Sequence, residues 1–334
     1  MTSATQPAAR TATPEAIVDI AIGFMGAKQL FAASRIGLFT AVADGAATVE
    51  ELSNATGVPS RQVRILADSM ASQGLLERNS RRYSLTPDAA AYLTGAHAEL
   101  DLAPFLAFLG STSYDQWRGY DKTVDTDAAG TLELDEGGWA DFMKGVMTYN
   151  ALHAEMLARH FDFTGFGSAL DLGGLSPDFA IKAMQANPDL KTRFVVAPDF
   201  AEGVRQAVEA AGLGGRAVVE GAETEDAQPG GAHDLVMVNH VAHRFGAAEN
   251  ARILANARAA AAPGATLLML DFYLDDDPVQ RRIDALHAGE YYNIDGTVVY
   301  PESVVREWLE AAGWAFREMI SLPGSPRVIV ADAV

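Results

Sequence analysis

A short apolar run that ends in two glycines limits the folds open to this chain. Residues 168–180 read Ser-Ala-Leu-Asp-Leu-Gly-Gly-Leu-Ser-Pro-Asp-Phe-Ala, which predicts a buried strand, a tight turn and a helix capped by Ser176. In α/β folds such a junction presents backbone N–H groups and a helix N-terminus to a nucleotide-like ligand. The stretch therefore predicts a ligand-binding loop, although Leu175 and Pro177 interrupt the glycine series.

Short apolar runs and helical patterns alternate along the rest of the chain after this loop. Strands are predicted at 193–196, 217–220, 234–239 and 266–271, and helices at 201–211, 248–261 and 302–313. Two further strands flank the turn at 322–326 and predict an antiparallel ending. The pattern indicates an α/β fold with a doubly wound, mostly parallel sheet.

The segment before the loop has a different organisation. Apolar residues at helical spacing over 16–43 predict two helices, and Thr48 with Glu51 forms a capping box for a third. A helix from Ser60, a two-stranded wing over 78–85 and a helix from Pro87 complete a winged helix-turn-helix. Such a domain either reads DNA or serves in packing and dimerisation.

Charge decides between those two interpretations. The 334 residues carry a net charge of −19, whereas binding to a phosphate backbone needs concentrated Lys and Arg. We therefore expect no nucleic-acid partner. Cysteine is absent, which excludes disulfides and thiolate metal sites. No signal peptide or membrane-spanning run is evident, so we expect a cytoplasmic protein without a membrane partner.

Several motifs resemble one known family. They are Gly74-Leu-Leu76, Tyr83-Ser-Leu-Thr-Pro87, Leu170-Asp-Leu-Gly-Gly174, Asn239-His-Val-Ala-His243 and Trp308-Leu-Glu-Ala-Ala-Gly313. From about Ala16 onward the chain is similar to the S-adenosylmethionine-dependent small-molecule O-methyltransferases of the caffeate type. The resemblance implies a Rossmann-like class I methyltransferase sheet, an α-helical winged-helix domain, a small-molecule substrate and a homodimer formed through the N-terminal domain.

The resemblance also implies a division of the chain and a cofactor site. The expected parts are a disordered tail at 1–14, a winged-helix dimerisation domain at 15–100, a helical linker and pocket roof at 101–165, and the methyltransferase-like domain at 166–334. The residues expected to bind S-adenosylmethionine are Asp171, Gly173, Gly174, Ser176, Asp199, Gly221, Asn239 and His240. The family places a ribose-binding acid where this chain has Val196, and an acid beside the adenine where it has Ala222.

The same resemblance assigns the chemistry to His243 and Asp271. His243 aligns with the general base that deprotonates the substrate hydroxyl, and Asp271 aligns with the carboxylate that orients it. Arg244 replaces an acid of the family. The residues expected to line the substrate pocket are Phe142, Met147, Tyr291, Tyr292 and Asn293. His153 and His160 lie seven positions apart without a third ligand, so no metal site is expected.

Two functions follow from these observations. The first is methyl transfer from S-adenosylmethionine to a hydroxyl of a small aromatic or polyketide-like metabolite, with His243 as the base. The second keeps the dimer and the pocket but catalyses a pericyclic, elimination or isomerisation step without the cofactor, because the cofactor motif departs from the family pattern. A non-catalytic ligand-binding protein is a third alternative.

Overall fold

The structure is a computed structural model that describes residues 12–276 and 278–334, so most of the expected tail lies outside the described residues. The chain forms two compact units, one ending at Gly110 and one beginning at Ser111. The division into four parts expected from the sequence stays a prediction.

The first unit is a helical domain with a small wing. Its elements are α1 Glu15–Arg35, α2 Leu38–Ala43, α3 Val49–Thr56, α4 Ser60–Ser72, β1 Leu76–Asn79, β2 Arg82–Leu85, α5 Pro87–Tyr92 and α6 Ala103–Phe108. The capping box of Thr48 and Glu51 is confirmed, and β1 pairs antiparallel with β2. Leu38, Phe39 and Leu52 pack in its buried core. The predicted winged helix-turn-helix arrangement is present.

Helix α1 carries most of the large exposed apolar side chains of this unit. The exposed side chains include Ile17, Ile20 and Phe24, which are 73%, 81% and 53% exposed. By length and composition alone, α1 is also long and apolar enough to cross a membrane. The expected absence of a membrane partner therefore stays a prediction.

The second unit contains a seven-stranded sheet and its covering helices. A π-helical turn at Leu109–Ser113, which begins in the first unit, is followed in the second by α7 Tyr114–Trp117, α8 Tyr120–Thr126 and α9 Glu136–His160. The sheet comprises β3 Ser168–Leu172, β4 Lys191–Val196, β5 Ala217–Gly221, β6 His233–Met237, β7 Ala261–Asp271, β8 Trp314–Ser321 and β9 Arg327–Ala333. The helices between strands are α10 Asp178–Ala186, α11 Pro198–Ala210, α12 Ala247–Ala259, α13 Arg282–Asp295 and α14 Glu302–Ala311.

The strand order is β5-β4-β3-β6-β7-β9-β8. β3 to β7 pair in parallel, whereas β9 pairs antiparallel with both β7 and β8. The predicted mostly parallel sheet with an antiparallel ending is confirmed. The order reverses between β3 and β6, and open α/β sheets bind ligands at the carboxyl ends of strands at such a point. Gly173, His240 and Asp271 all lie at these ends.

Candidate active site

His243 and Asp271 form a hydrogen-bonded dyad. His243 lies in a single 3₁₀ turn, Ala242–Arg244, shortly after β6, and Asp271 is the last residue of β7. The Nδ1 atom of His243 is 3.0 Å from each carboxylate oxygen, and its backbone N–H donates to Oδ2 at 3.3 Å. Asp271 is only 1% exposed. Burial alone would raise the pKa of Asp271, but the His243 ring and the hydrogen bonds hold it below its ordinary value.

This geometry fixes the proton on one ring nitrogen of His243. An ionised carboxylate only accepts hydrogen bonds, so Nδ1 carries the hydrogen that points at Asp271. The Nε2 atom of a neutral imidazole then keeps its lone pair and can accept a proton. The dyad can therefore act as a general base whose orientation is set by a buried carboxylate.

A second pair of imidazoles lies beside the dyad. His153 Nδ1 and His240 Nε2 are 2.9 Å apart, and both rings are buried. Burial is the main cause that lowers the pKa of His153, and it lowers that of His240 to about 3, so both rings are neutral. His240 also has a left-handed backbone, with φ of 54°. Such strain in a non-glycine residue is typical of functional sites.

Aromatic rings surround these imidazoles. The ring of Tyr291 lies 4.6 Å from that of His243, and Phe272 stacks on His287 at 3.8 Å between centroids. Tyr149 approaches His287 Nε2 with its hydroxyl at 3.3 Å. Burial raises the pKa values of Tyr149 and Tyr291, so their hydroxyls stay neutral. Flat apolar faces with a few polar edges suit an aromatic ligand.

Three atoms of the site could in principle hold a cation. Donor atoms of His240, His243 and Asp271 lie within 4.8 Å of one another. However, His240 Nε2 bonds to His153, and His243 Nδ1 bonds to Asp271. A metal at those atoms would break both contacts. The expectation of a metal-free site stays a prediction.

The glycine loop joins β3 to α10 at the neighbouring strand end. Gly173 has φ of +78°, and a Cβ there would stand 2.2 Å from Thr224 Cγ2, so only glycine fits. Asp171 is 2% exposed, and burial raises its pKa to about 7. Its Oδ1 atom and the Nδ2 atom of Asn239 have no hydrogen-bond partner among the described residues. A buried acceptor and a buried donor of this kind can each form a hydrogen bond with a ligand.

The start of α10 differs from the sequence prediction. The helix begins at Asp178, so Pro177 is the capping residue and Ser176 lies one position before it. The Ser176 hydroxyl still accepts a hydrogen bond from Asp178 N–H at 3.3 Å. Proline has no side-chain acceptor for this N–H group. The hydroxyl of Ser176, one residue earlier in the chain, therefore stabilises the turn.

The remaining cofactor candidates lie around β4 and β5. Val196 is buried at the end of β4, and Asp199 is exposed in the first turn of α11. Gly221 ends β5, where a Cβ would meet Pro198 Cα at 3.2 Å. The chain enters α11 directly after β4, which leaves no loop that could carry Asp199 back to the position of Val196.

Only part of the expected substrate wall reaches the dyad. Tyr291 does, whereas Tyr292 donates to the Asp127 carbonyl oxygen at 2.9 Å and Asn293 Oδ1 lies 3.4 Å from Thr123 Oγ1. Phe142 packs edge-to-face on Trp139, and Met147 is half-buried on the same helix.

Sequence reasoning missed three residues of this site, namely Tyr149, His153 and His287. Tyr149 with His153 on α9, and His287 with Tyr291 on α13, are each spaced four apart and so share a helix face. That repeated spacing was the signal available in the sequence.

Comparison with known proteins identifies the family of this chain. The model of the O-methyltransferase domain matches residues 110–311, and that of the O-methyltransferase dimerisation domain matches residues 18–95. The chain belongs to the O-methyltransferase family. Two relatives of this O-methyltransferase are curated Streptomyces enzymes. It is 29% identical to the 3-hydroxy-5-methyl-1-naphthoate 3-O-methyltransferase of Streptomyces sahachiroi, over 79% of each chain.

The second relative is the tetracenomycin polyketide synthesis 8-O-methyltransferase of Streptomyces glaucescens, with 26% identity over 90% of this O-methyltransferase and 91% of the relative. The fold is shared with the pyocyanin biosynthetic protein PhzM. That structure superposes with a TM-score of 0.86 and 18% identity, and the match covers 96% of this chain and 98% of PhzM.

Proposed function

We propose that this protein transfers a methyl group from S-adenosylmethionine to a hydroxyl of a small aromatic or polyketide-like metabolite, with His243 as the general base. The observation that carries the proposal is the dyad, in which a buried carboxylate holds Nδ1 at 3.0 Å and leaves Nε2 free to accept a proton. One of the two relatives is named for a hydroxylated naphthoate, and the other is named an 8-O-methyltransferase of tetracenomycin polyketide synthesis. The aromatic walls of this site suit substrates of that class.

The residues of the glycine loop fit the amino-acid end of the cofactor. Asp171 Oδ1 is a buried acceptor and Asn239 Nδ2 a buried donor, each without a protein partner among the described residues. These two side chains and the loop around Gly173 and Gly174 would hold that end. When bound, the cofactor supplies an electrophilic methyl group on a sulfonium.

The protein itself contributes positioning and proton removal. Asp271 orients the His243 ring, Phe272 and Tyr291 confine a planar substrate, and the neutral His153–His240 pair adds no competing positive charge. Holding a hydroxyl near Nε2 while its proton is removed combines proximity with general base catalysis.

A second candidate is a reaction of the same pocket without the cofactor. It is favoured by the ribose end of the site, where Val196 is buried and Asp199 is exposed in a helix. A missing charged acceptor costs about 1.5–3 kcal/mol of binding free energy. An acid or base step by His243 would not need that contact.

The deciding experiment offers the protein S-adenosylmethionine and a panel of hydroxylated naphthoates and anthraquinones. We expect a product heavier by one methylene, formed only with the cofactor and at an unchanged rate after treatment with EDTA. A substrate that is converted equally without S-adenosylmethionine would reject methyl transfer and support the second candidate.

Cofactor affinity should depend on the ionisation of Asp171. Because burial raises its pKa to about 7, this carboxyl is mostly protonated at pH 6 and ionised at pH 8. A cationic ammonium favours the ionised form, so we expect S-adenosylhomocysteine to bind about tenfold more weakly at pH 6 than at pH 8. Calorimetry of the wild type and of Asp171→Asn tests this. A pH dependence that persists in the variant would contradict the assignment.

The first unit supports assembly as a homodimer. Its family model is a dimerisation domain, and helix α1 exposes Ile17, Ile20 and Phe24. A single chain that leaves such side chains in water gains stability when a second copy covers them. We infer that α1 contributes to the contact between two copies.

A further inference from the structure

Arg244 lies against the glycine loop and forms no ion pair with a carboxylate of the described residues. It directly follows the catalytic His243, and its Nε donates to the His240 carbonyl oxygen at 3.0 Å. Its Nη2 donates to the carbonyl oxygen of Gly173. Both partners are neutral backbone groups at the carboxyl ends of β6 and β3. The guanidinium therefore spans the crevice at which the strand order reverses.

No carboxylate of the described chain forms an ion pair with this guanidinium. The acids that act on it from a distance are Asp271, which is engaged with His243, and Glu225 in the segment after β5. Burial lowers the pKa of Arg244 to about 10, so it is fully charged at neutral pH. A partly buried cation with no carboxylate in direct contact is stabilised when an anionic group binds to it.

A carboxyl group at the same loop also has an oxygen atom without a hydrogen-bond partner. Asp171 Oδ1 lies beside Gly174, 3.3 Å from where a Cβ of that residue would stand, and it has no partner among the described residues. An unpartnered carboxyl oxygen and a guanidinium without an ion pair among the described residues thus flank the same two glycines. A zwitterion has the matching pattern, with an ammonium for Asp171 and a carboxylate for Arg244.

We propose that Arg244 is a carboxylate-binding residue at the glycine loop. The expected occupant is the carboxylate at the amino-acid end of the cofactor, which rests on the proposed function. The remaining N–H groups of the guanidinium would also donate to the carboxylate of an aromatic acid substrate. Arg244 supplies N–H donors at a loop where Pro177 lacks a backbone N–H and the Leu175 side chain obstructs close approach of the backbone, and it explains how an interrupted glycine series can hold an anion.

The test compares ligands with and without the carboxylate. S-adenosylhomocysteine carries the amino-acid end, whereas 5′-methylthioadenosine lacks it. We expect Arg244→Gln to lower the affinity for S-adenosylhomocysteine about 10-fold to 100-fold in calorimetry. The affinity for methylthioadenosine should stay nearly unchanged. The affinity of Arg244→Lys for S-adenosylhomocysteine should lie between those of the wild type and Arg244→Gln, because the lysine ammonium keeps the charge but cannot form the paired hydrogen bonds. Arg252→Gln, an exposed arginine on α12, is the control for charge and folding.

A second arm separates the two sources of the carboxylate. It measures binding of 3-hydroxy-1-naphthoate and of the matching carboxamide to the wild type and to Arg244→Gln. If Arg244→Gln binds only the naphthoate more weakly than the wild type does, Arg244 binds the carboxylate of the substrate. If Arg244→Gln binds every carboxylate as the wild type does, or binds S-adenosylhomocysteine more tightly, the proposal is wrong. If the wild type binds neither nucleoside, the proposed methyl transfer fails, and the naphthoate arm alone decides the role of Arg244.

Discussion

Replacement of His243 by alanine is expected to lower kcat for methyl transfer by about 100-fold to 10,000-fold. A positioned general base contributes a factor of that size. The cause is specific, because Nε2 of this ring is the basic nitrogen that the contact between Nδ1 and Asp271, at 3.0 Å, leaves available. Cofactor affinity should change little, and steady-state kinetics combined with calorimetry would separate the two effects.

Asp271→Asn tests the same dyad through its partner. An amide can present its NH₂ group to Nδ1 and thereby favour the wrong tautomer, so kcat should fall although the ring stays in place. The double variant should be little worse than His243→Ala alone, because the two residues act as one unit. His160→Ala, at the exposed end of α9, is the matched control. Full activity of His243→Ala would exclude the general-base role, whatever the substrate.

The parts of this structure that are local in sequence were predictable. The capping box of α3 involves residues three apart, and the glycine loop combines an apolar strand with a turn that needs a positive φ at Gly173. The alternation of strand and helix patterns predicted the parallel sheet, because parallel strands are joined by helical crossovers. The dyad was predictable only through family resemblance, because His243 and Asp271 lie 28 positions apart in the sequence.

The parts that depend on tertiary packing were not predictable. His153 and His240 are 87 positions apart, and their contact requires α9 to pack over the end of β6. His153 was considered only as a zinc ligand, since a lone histidine on a helix carries no other signal. Tyr292 and Asn293 share a motif with Tyr291, but helical geometry turns adjacent residues to different faces. Tyr292 and Asn293 therefore form hydrogen bonds with Asp127 and Thr123, away from the dyad.

Loss of the buried carboxylate of Asp284 should destabilise the second unit by about 3–5 kcal/mol. Asp284 is 0% exposed on α13 and accepts hydrogen bonds from Tyr273 N–H and Arg281 Nη1, both at 3.1 Å. Arg327 Nε lies 3.5 Å from it. Burial raises the pKa of Asp284 despite both guanidiniums, so its charge is only partly compensated. Asp284→Ala would leave the buried guanidinium of Arg327 and the partly exposed guanidinium of Arg281 each short of a partner, and one buried N–H without an acceptor.

Urea unfolding measures this loss as a lower midpoint at an unchanged slope. Asp332→Ala is the matched control, because its pair with Arg317 has a similar distance of 2.9 Å but lies on the surface. Exposed pairs contribute about 1 kcal/mol or less. The Asp284 variant should also lose activity, since His287 and Tyr291 follow on the same helix at intervals of about one turn. Equal midpoints for the two variants would show that α13 is held by its apolar contacts rather than by this buried charge.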